Sequence, residues 1–186
     1  MKRFILLTAM LAVAACSQMQ PTPMASKAPT KDGEATVPAN YKTWPTMLGN
    51  VQRPDAKQVR DMYIDPVGAK TKEGDLFPYG TVMVMENYAA KTKPDGALET
   101  GPDGKLVKDK LVRIFIMEKA KGAGADVPDA LKNGEWVYSS YAADGTKTED
   151  NLMACRGCHL TLTVKKDFVH RYDEYFQKRA QSGSKY

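Results

Sequence analysis

Thiols and imidazoles are scarce in this chain: its 186 residues include three cysteines, Cys16, Cys155 and Cys158, and two histidines, His159 and His170. Three thiols are too few for a secreted scaffold stapled by several disulfides. There is no Gly-rich phosphate loop, no Gly-x-Ser-x-Gly elbow and no internal repeat, so nothing points to phosphate cradling or serine hydrolysis. Lysines are scattered rather than gathered with aromatics on one face, and the net charge of +5 leaves no nucleic-acid footprint. Beyond the first 15 residues no hydrophobic run is long enough to cross a bilayer.

What is present begins with "MKRFILLTAMLAVAAC". Lys2 and Arg3 precede an uncharged run from Phe4 to Ala15 that ends in small residues, the pattern of an export signal with a run too short to span a membrane. Val13-Ala14-Ala15-Cys16 resembles a bacterial lipobox, which implies cleavage before Cys16 and acylation of its thiol. Ser17 stands where an Asp is absent, which among bacterial lipoproteins implies the outer membrane. The expected organisation is a signal over 1–15, a flexible tether over 16–40, one domain over 41–180 and a tail over 181–186. The tether is rich in Pro, Ser, Thr and Ala without apolar periodicity, and about 20 such residues reach roughly 25 Å. Removing the signal leaves 25 basic against 22 acidic residues, a net +3. The expected place is the bacterial periplasm, with the membrane met only through the lipid.

The remaining cysteines fall within "NLMACRGCHL", residues 151–160. A disulfide between Cys155 and Cys158 would close a tiny loop and restrain little of the unfolded chain. Zinc finds only half of a tetrahedral set, since Cys16 is committed elsewhere and His159 abuts Cys158. A thioredoxin-like dithiol needs a strand feeding a helix, which the residues around Arg156-Gly157 do not offer. C-x-x-C-H is the attachment pattern of c-type haem. Two thiols on one helical turn add across two vinyl groups, and the next residue supplies an imidazole to the iron. One haem c is therefore expected, with Cys155 and Cys158 as thioethers and His159 as proximal ligand. His170 falls off an apolar stripe of Phe168, Tyr172, Tyr175 and Phe176 and reads as a solvated surface histidine. Met62, Met83, Met85, Met117 and Met153 offer thioethers for a sixth position, each also suited to filling a core.

Period-two patterns predict strands over 58–65, 80–89, 110–119 and 135–143, with turns at Asp65-Pro66, Pro94-Asp95-Gly96, Pro102-Asp103-Gly104 and Asp144-Gly145. Short helices are expected over 128–133 and in a lead-in segment over 40–47. Thr148 or Asp150 is the expected cap of the haem helix. The predicted fold is α+β and β-rich: an antiparallel sheet with a C-terminal haem-binding helix and an amphipathic closing helix.

"NYKTW" (40–44), "MYIDP" (62–66), "FPYGTVMVMEN" (77–87), "NGEWVYSSY" (133–141), "CRGCH" (155–159) and "DFVHRYDEYF" (167–176) together resemble the cytochrome P-460 and cytochrome c′-beta family. The resemblance implies a β-rich fold, often a homodimer, with a five-coordinate haem open to small nitrogenous ligands such as nitric oxide or hydroxylamine, and a periplasmic redox partner. In P-460 proteins a lysine on the strand after the Gly-Thr-Val turn is bonded to the haem ring, which goes with hydroxylamine oxidation. The matching residue here is Met85, and no lysine lies between Glu73 and Lys91. That departure implies the c′-beta type, which binds nitric oxide on a hindered apolar face, with Met85 touching the haem edge. Hydroxylamine oxidation without the cross-link and a low-spin electron carrier remain as alternatives. Phe77, Tyr79 and Phe115 are expected pocket walls. Glu86, Glu149 and Asp150 are the candidate proton-handling carboxylates, the last two equally suited to a helix start.

Overall fold

A computed structural model describes residues 29–183. The export signal, Cys16, the first part of the expected tether and the last three residues lie outside the described residues. Five strands, β1 (Thr46–Arg53), β2 (Gln58–Ile64), β3 (Val82–Ala90), β4 (Lys108–Lys119) and β5 (Trp136–Ala142), form one antiparallel sheet in chain order. Two helices follow, α1 (Leu152–His159) and α2 (Tyr172–Gln181). The fold is α+β and β-rich, as the sequence patterns predict.

The alternation of side chains gives the sheet two different faces. Ile64, Met83, Met117, Trp136 and Tyr138 point to the helical side, where Phe77, Val169, Tyr172, Tyr175 and Phe176 complete a core. Val84, Ile114, Ile116, Val137 and Tyr141 point the other way and pack with Ala35 and Tyr41. Both faces are thus covered, and each large apolar side chain fully buried there contributes about 1.5–3 kcal/mol. The β3–β4 connection carries the expected turns: Asp95 Oδ1 accepts from Ala97 N (3.0 Å) and Asp103 Oδ1 from Lys105 N (3.1 Å).

β1 was not among the expected strands. Its pairing with β2 shifts register between Thr46 and Leu48 and again between Leu48 and Val51, and Asn50 is left-handed at φ 56°. These irregularities erase the period-two signal. The expected lead-in helix is a 3-10 turn, Tyr41–Thr43, ending before β1, and the one expected over 128–133 is a 3-10 turn at Asp129–Leu131.

The region expected to be tether also differs. Gly33 N donates to Tyr138 O (2.7 Å), Tyr141 OH donates to Ala35 O (2.8 Å), and Ala35 is buried. The stretch over 32–35 therefore belongs to the packed domain. Its small and polar residues are held by specific hydrogen bonds, which composition does not reveal. Among the described residues no helix is long and apolar enough to cross a membrane.

Candidate functional site

Asn151, rather than Thr148 or Asp150, caps α1: its side-chain oxygen accepts from Met153 N at 3.1 Å. Helical spacing then sorts the motif, because residues i, i+3 and i+4 share a face. Cys155, Cys158 and His159 all line one cavity, and both thiols are free. Burial first, then Asp32 and Asp150, push the Cys155 thiol above its ordinary range. Arg156 turns the opposite way and is 1% exposed.

Arg156 fixes α1 to the sheet. Its Nε and Nη2 donate to the two oxygens of Asp32 (2.6 and 2.9 Å), Nη1 donates to Asn133 Oδ1 (2.8 Å), and Nη2 also donates to Trp136 O (2.9 Å). The guanidinium lies 5.5 Å from the ring centre of Tyr138. A buried cation is tolerated only with such complete pairing. Neither Arg156 nor Asp32 was singled out from sequence; the one available signal was an arginine inside the cysteine motif, and its partner is 124 residues away.

His159 enters the cavity in a defined tautomer. Its Nδ1 is 2.7 Å from Phe168 O, and since a carbonyl only accepts, Nδ1 carries the hydrogen and Nε2 keeps its lone pair. Burial pushes the imidazole pKa down to about 4, so it is neutral and able to ligate at neutral pH. The carbonyl is itself clamped. Lys119 Nζ (2.6 Å) and Phe77 N (2.9 Å) donate to Asp167 Oδ2, and Trp136 Nε1 donates to Asp167 O (2.8 Å). Asp167 and Phe168 are both left-handed, at φ 48° and 57°, a costly pair for non-glycine residues that this clamp maintains. Gly134, at φ +71°, lies against them, and a Cβ there would meet Phe168 Cδ2 at 3.0 Å and Asp167 Oδ1 at 3.1 Å.

These left-handed residues, with Arg171 at φ 59°, also delay the closing helix, which begins at Tyr172 rather than carrying Phe168 on its stripe. That overturns the expectation of a solvated His170. In the turn before α2 its ring centre is 4.6 Å from that of His159, and its Nε2 lies 3.4 Å from Cys158 Sγ. Burial lowers its pKa from the ordinary value.

The cavity measures about 670 Å³. Met62, Met85 and Phe115 form one cross-strand row, each half-buried and facing the cavity. Met47, Met83 and Met117 also line it. Met153 is half-buried on α1 and away from the lining. Of the other expected walls, Phe77 is buried beneath in the core, and Tyr79 is exposed and bonded to Glu135.

The candidate carboxylates are elsewhere. Glu86 is fully buried on the opposite sheet face, accepting from Tyr41 (2.5 Å), Tyr88 (2.8 Å) and Tyr63 (3.2 Å) and meeting Lys42 Nζ at 3.1 Å. Burial favours its protonation, but the bonds from Tyr41, Tyr88 and Lys42 outweigh it and hold the carboxyl below its ordinary range. Period two explains the error: Glu86 follows Met85 and must face away from it. Glu149 is exposed, and Asp150 is bonded to Ser140 and Thr148. Neither lines the cavity.

Two thiols on one helix face, a neutral imidazole with a free Nε2 and a mainly apolar cavity of cofactor size fit a covalently held haem. No curated protein matches the chain. The model of the cytochrome P460 family matches residues 38–171, a span that contains all five strands, the cysteine motif and the turn carrying Phe168 and His170. With well over half of its length matched, the chain belongs to the cytochrome P460 family, which implies a haem cofactor.

Proposed function

We propose that the protein is an exported monohaem cytochrome that binds nitric oxide, or a related small nitrogenous ligand, in the cavity between α1 and the sheet. The observation that carries this reading is the row Met62–Met85–Phe115: three large apolar side chains, each half-buried, that face the cavity His159 enters. Cys155 and Cys158 would hold the haem as thioethers, each thiol S–H adding across one vinyl double bond, and His159 would offer Nε2 to the iron. Haem held there would supply an iron able to bind a small ligand. Met62, Met85 and Phe115 exclude water and favour an uncharged diatomic ligand over hydroxide. Because Glu86, Glu149 and Asp150 are all outside the lining, the site is better furnished for binding than for the proton transfers of hydroxylamine turnover. Acylation at Cys16 would anchor the protein in the periplasm at the outer membrane, where a redox partner could set the iron's oxidation state.

A second reading draws on the five cavity methionines. One thioether reaching the iron would make a low-spin electron carrier of raised potential. Anaerobic titration of the ferrous full-length holoprotein with nitric oxide separates the two. The proposal expects a spectral change complete at one nitric oxide per haem; a spectrum indifferent to excess nitric oxide overturns it in favour of the carrier. Production of nitrite or nitrous oxide from hydroxylamine with an electron acceptor would instead establish the enzyme.

A further inference from the structure

Three guanidiniums line the mouth of the same cavity: Arg53 at the end of β1, Arg60 on β2 and Arg171 before α2. Two have carboxylate partners. Arg53 donates from Nε and Nη2 to Asp55 (3.0 and 2.7 Å), and Arg171 from Nη1 to Glu174 (2.6 Å). Arg60 has none among the described residues. Its Nη2 and Nε reach only the neutral amide oxygen of Gln58, at 2.9 and 3.3 Å, an oxygen that Asn87 Nδ2 shares at 3.3 Å. Burial, then the like charges of Arg53 and Arg171, disfavour the Arg60 cation. A half-buried guanidinium kept beside two others without an anion is an arrangement that costs stability until an anion arrives.

The cavity is therefore polarised. Its middle is thioether and aromatic, its α1 wall carries the thiols and imidazole, and its rim by β1 and β2 carries the excess positive charge. We propose that Arg60, supported by Arg53 and Arg171, binds the propionate carboxylates of the haem and so fixes which edge of the ring faces solvent. Guanidinium and carboxylate match as planar, bidentate partners. The assignment rests on haem attachment at Cys155 and Cys158. It excludes Arg113, which occupies the same cross-strand row as Arg60 by way of Asn87 but does not line the cavity.

The test uses full-length holoprotein matured with haem labelled with carbon-13 in its propionate carboxylates, read by oxidised-minus-reduced infrared difference spectroscopy. The labelled bands should shift in Arg60→Gln, return part of the way in Arg60→Lys, shift less in Arg53→Gln and Arg171→Gln, and stay in place in Arg113→Gln. Bands indifferent to all three rim arginines, or moved only by Arg113→Gln, overturn the assignment. Arg53 and Arg171 are about one-third exposed, so their variants decide the matter if Arg60→Gln does not accumulate as folded protein. Haem staining of denatured wild-type protein separates the two levels. Covalent haem with unmoved carboxylate bands removes the propionate assignment alone, whereas absence of covalent haem removes the attachment as well.

Discussion

Met85 is the residue on which the chemistry divides. It lies mid-row on the cavity wall, and a thioether there cannot form the amine bond to the ring that a lysine makes in P-460 proteins. Met85→Lys should therefore yield a covalent haem–lysine adduct, seen as a red-shifted absorption spectrum and as a cross-linked peptide by mass spectrometry. An unchanged spectrum with no adduct would mean that position 85 does not meet the ring. Glu86, one residue on, has a structural task on the other face. Replacing it with Gln puts an amide where four donors converge and should cost about 2 kcal/mol at neutral pH. Because its folded pKa lies below the ordinary value of 4.5, the stabilisation is complete above that value and is lost as pH falls through the lower, folded one. The difference in urea-unfolding stability between wild type and Glu86→Gln should hold from neutral pH and close below pH 4.5; a difference independent of pH would contradict this account.

At the scale of elements, α1 is a short helix held in place by a distant carboxylate. Asp32→Ala leaves Arg156 buried with its charge unpaired, so stability should fall by about 3 kcal/mol. Amide exchange in α1 should accelerate while the β3–β4 pairing stays protected; unchanged protection of α1 would show that Asp32 is not its anchor. The turn between α1 and α2 acts through a second buried pair. Lys119→Met should destabilise by about 3 kcal/mol and, by loosening the Phe168 carbonyl, weaken the hydrogen bond that makes His159 a stronger donor. The iron–histidine stretch should then drop and the midpoint potential rise; a stability loss with both readouts unmoved would make the clamp purely structural. Period two made β2 to β5 legible, since their pairings are long and nearly regular. The bulges of β1 hide it, and α2 is shorter than its apolar stripe implies because left-handed residues such as Asp167 and Arg171 have no mark in composition. The cysteine motif was readable because its spacing is local. Asp32, Lys119 and His170 were not, since their roles depend on contacts between segments far apart in sequence or on a turn the pattern concealed.

The whole molecule is a sheet used on both sides. One face is closed by Tyr41, Tyr63 and Tyr88 around Glu86, and the other opens into the cavity under α1. This division places a hydrogen-bonded layer behind the wall that carries Met62, Met85 and Phe115, which would suit the small-ligand site proposed above. The central claim is that His159 alone ligates the iron from the protein and that the methionines form a wall rather than a sixth bond. Resonance Raman spectroscopy of the ferrous full-length holoprotein tests it directly. The account predicts five-coordinate, high-spin marker bands with an iron–histidine stretch that disappears on adding nitric oxide. Six-coordinate, low-spin bands in the absence of added ligand, converted to five-coordinate by a methionine-to-leucine change at Met62 or Met85, would contradict it.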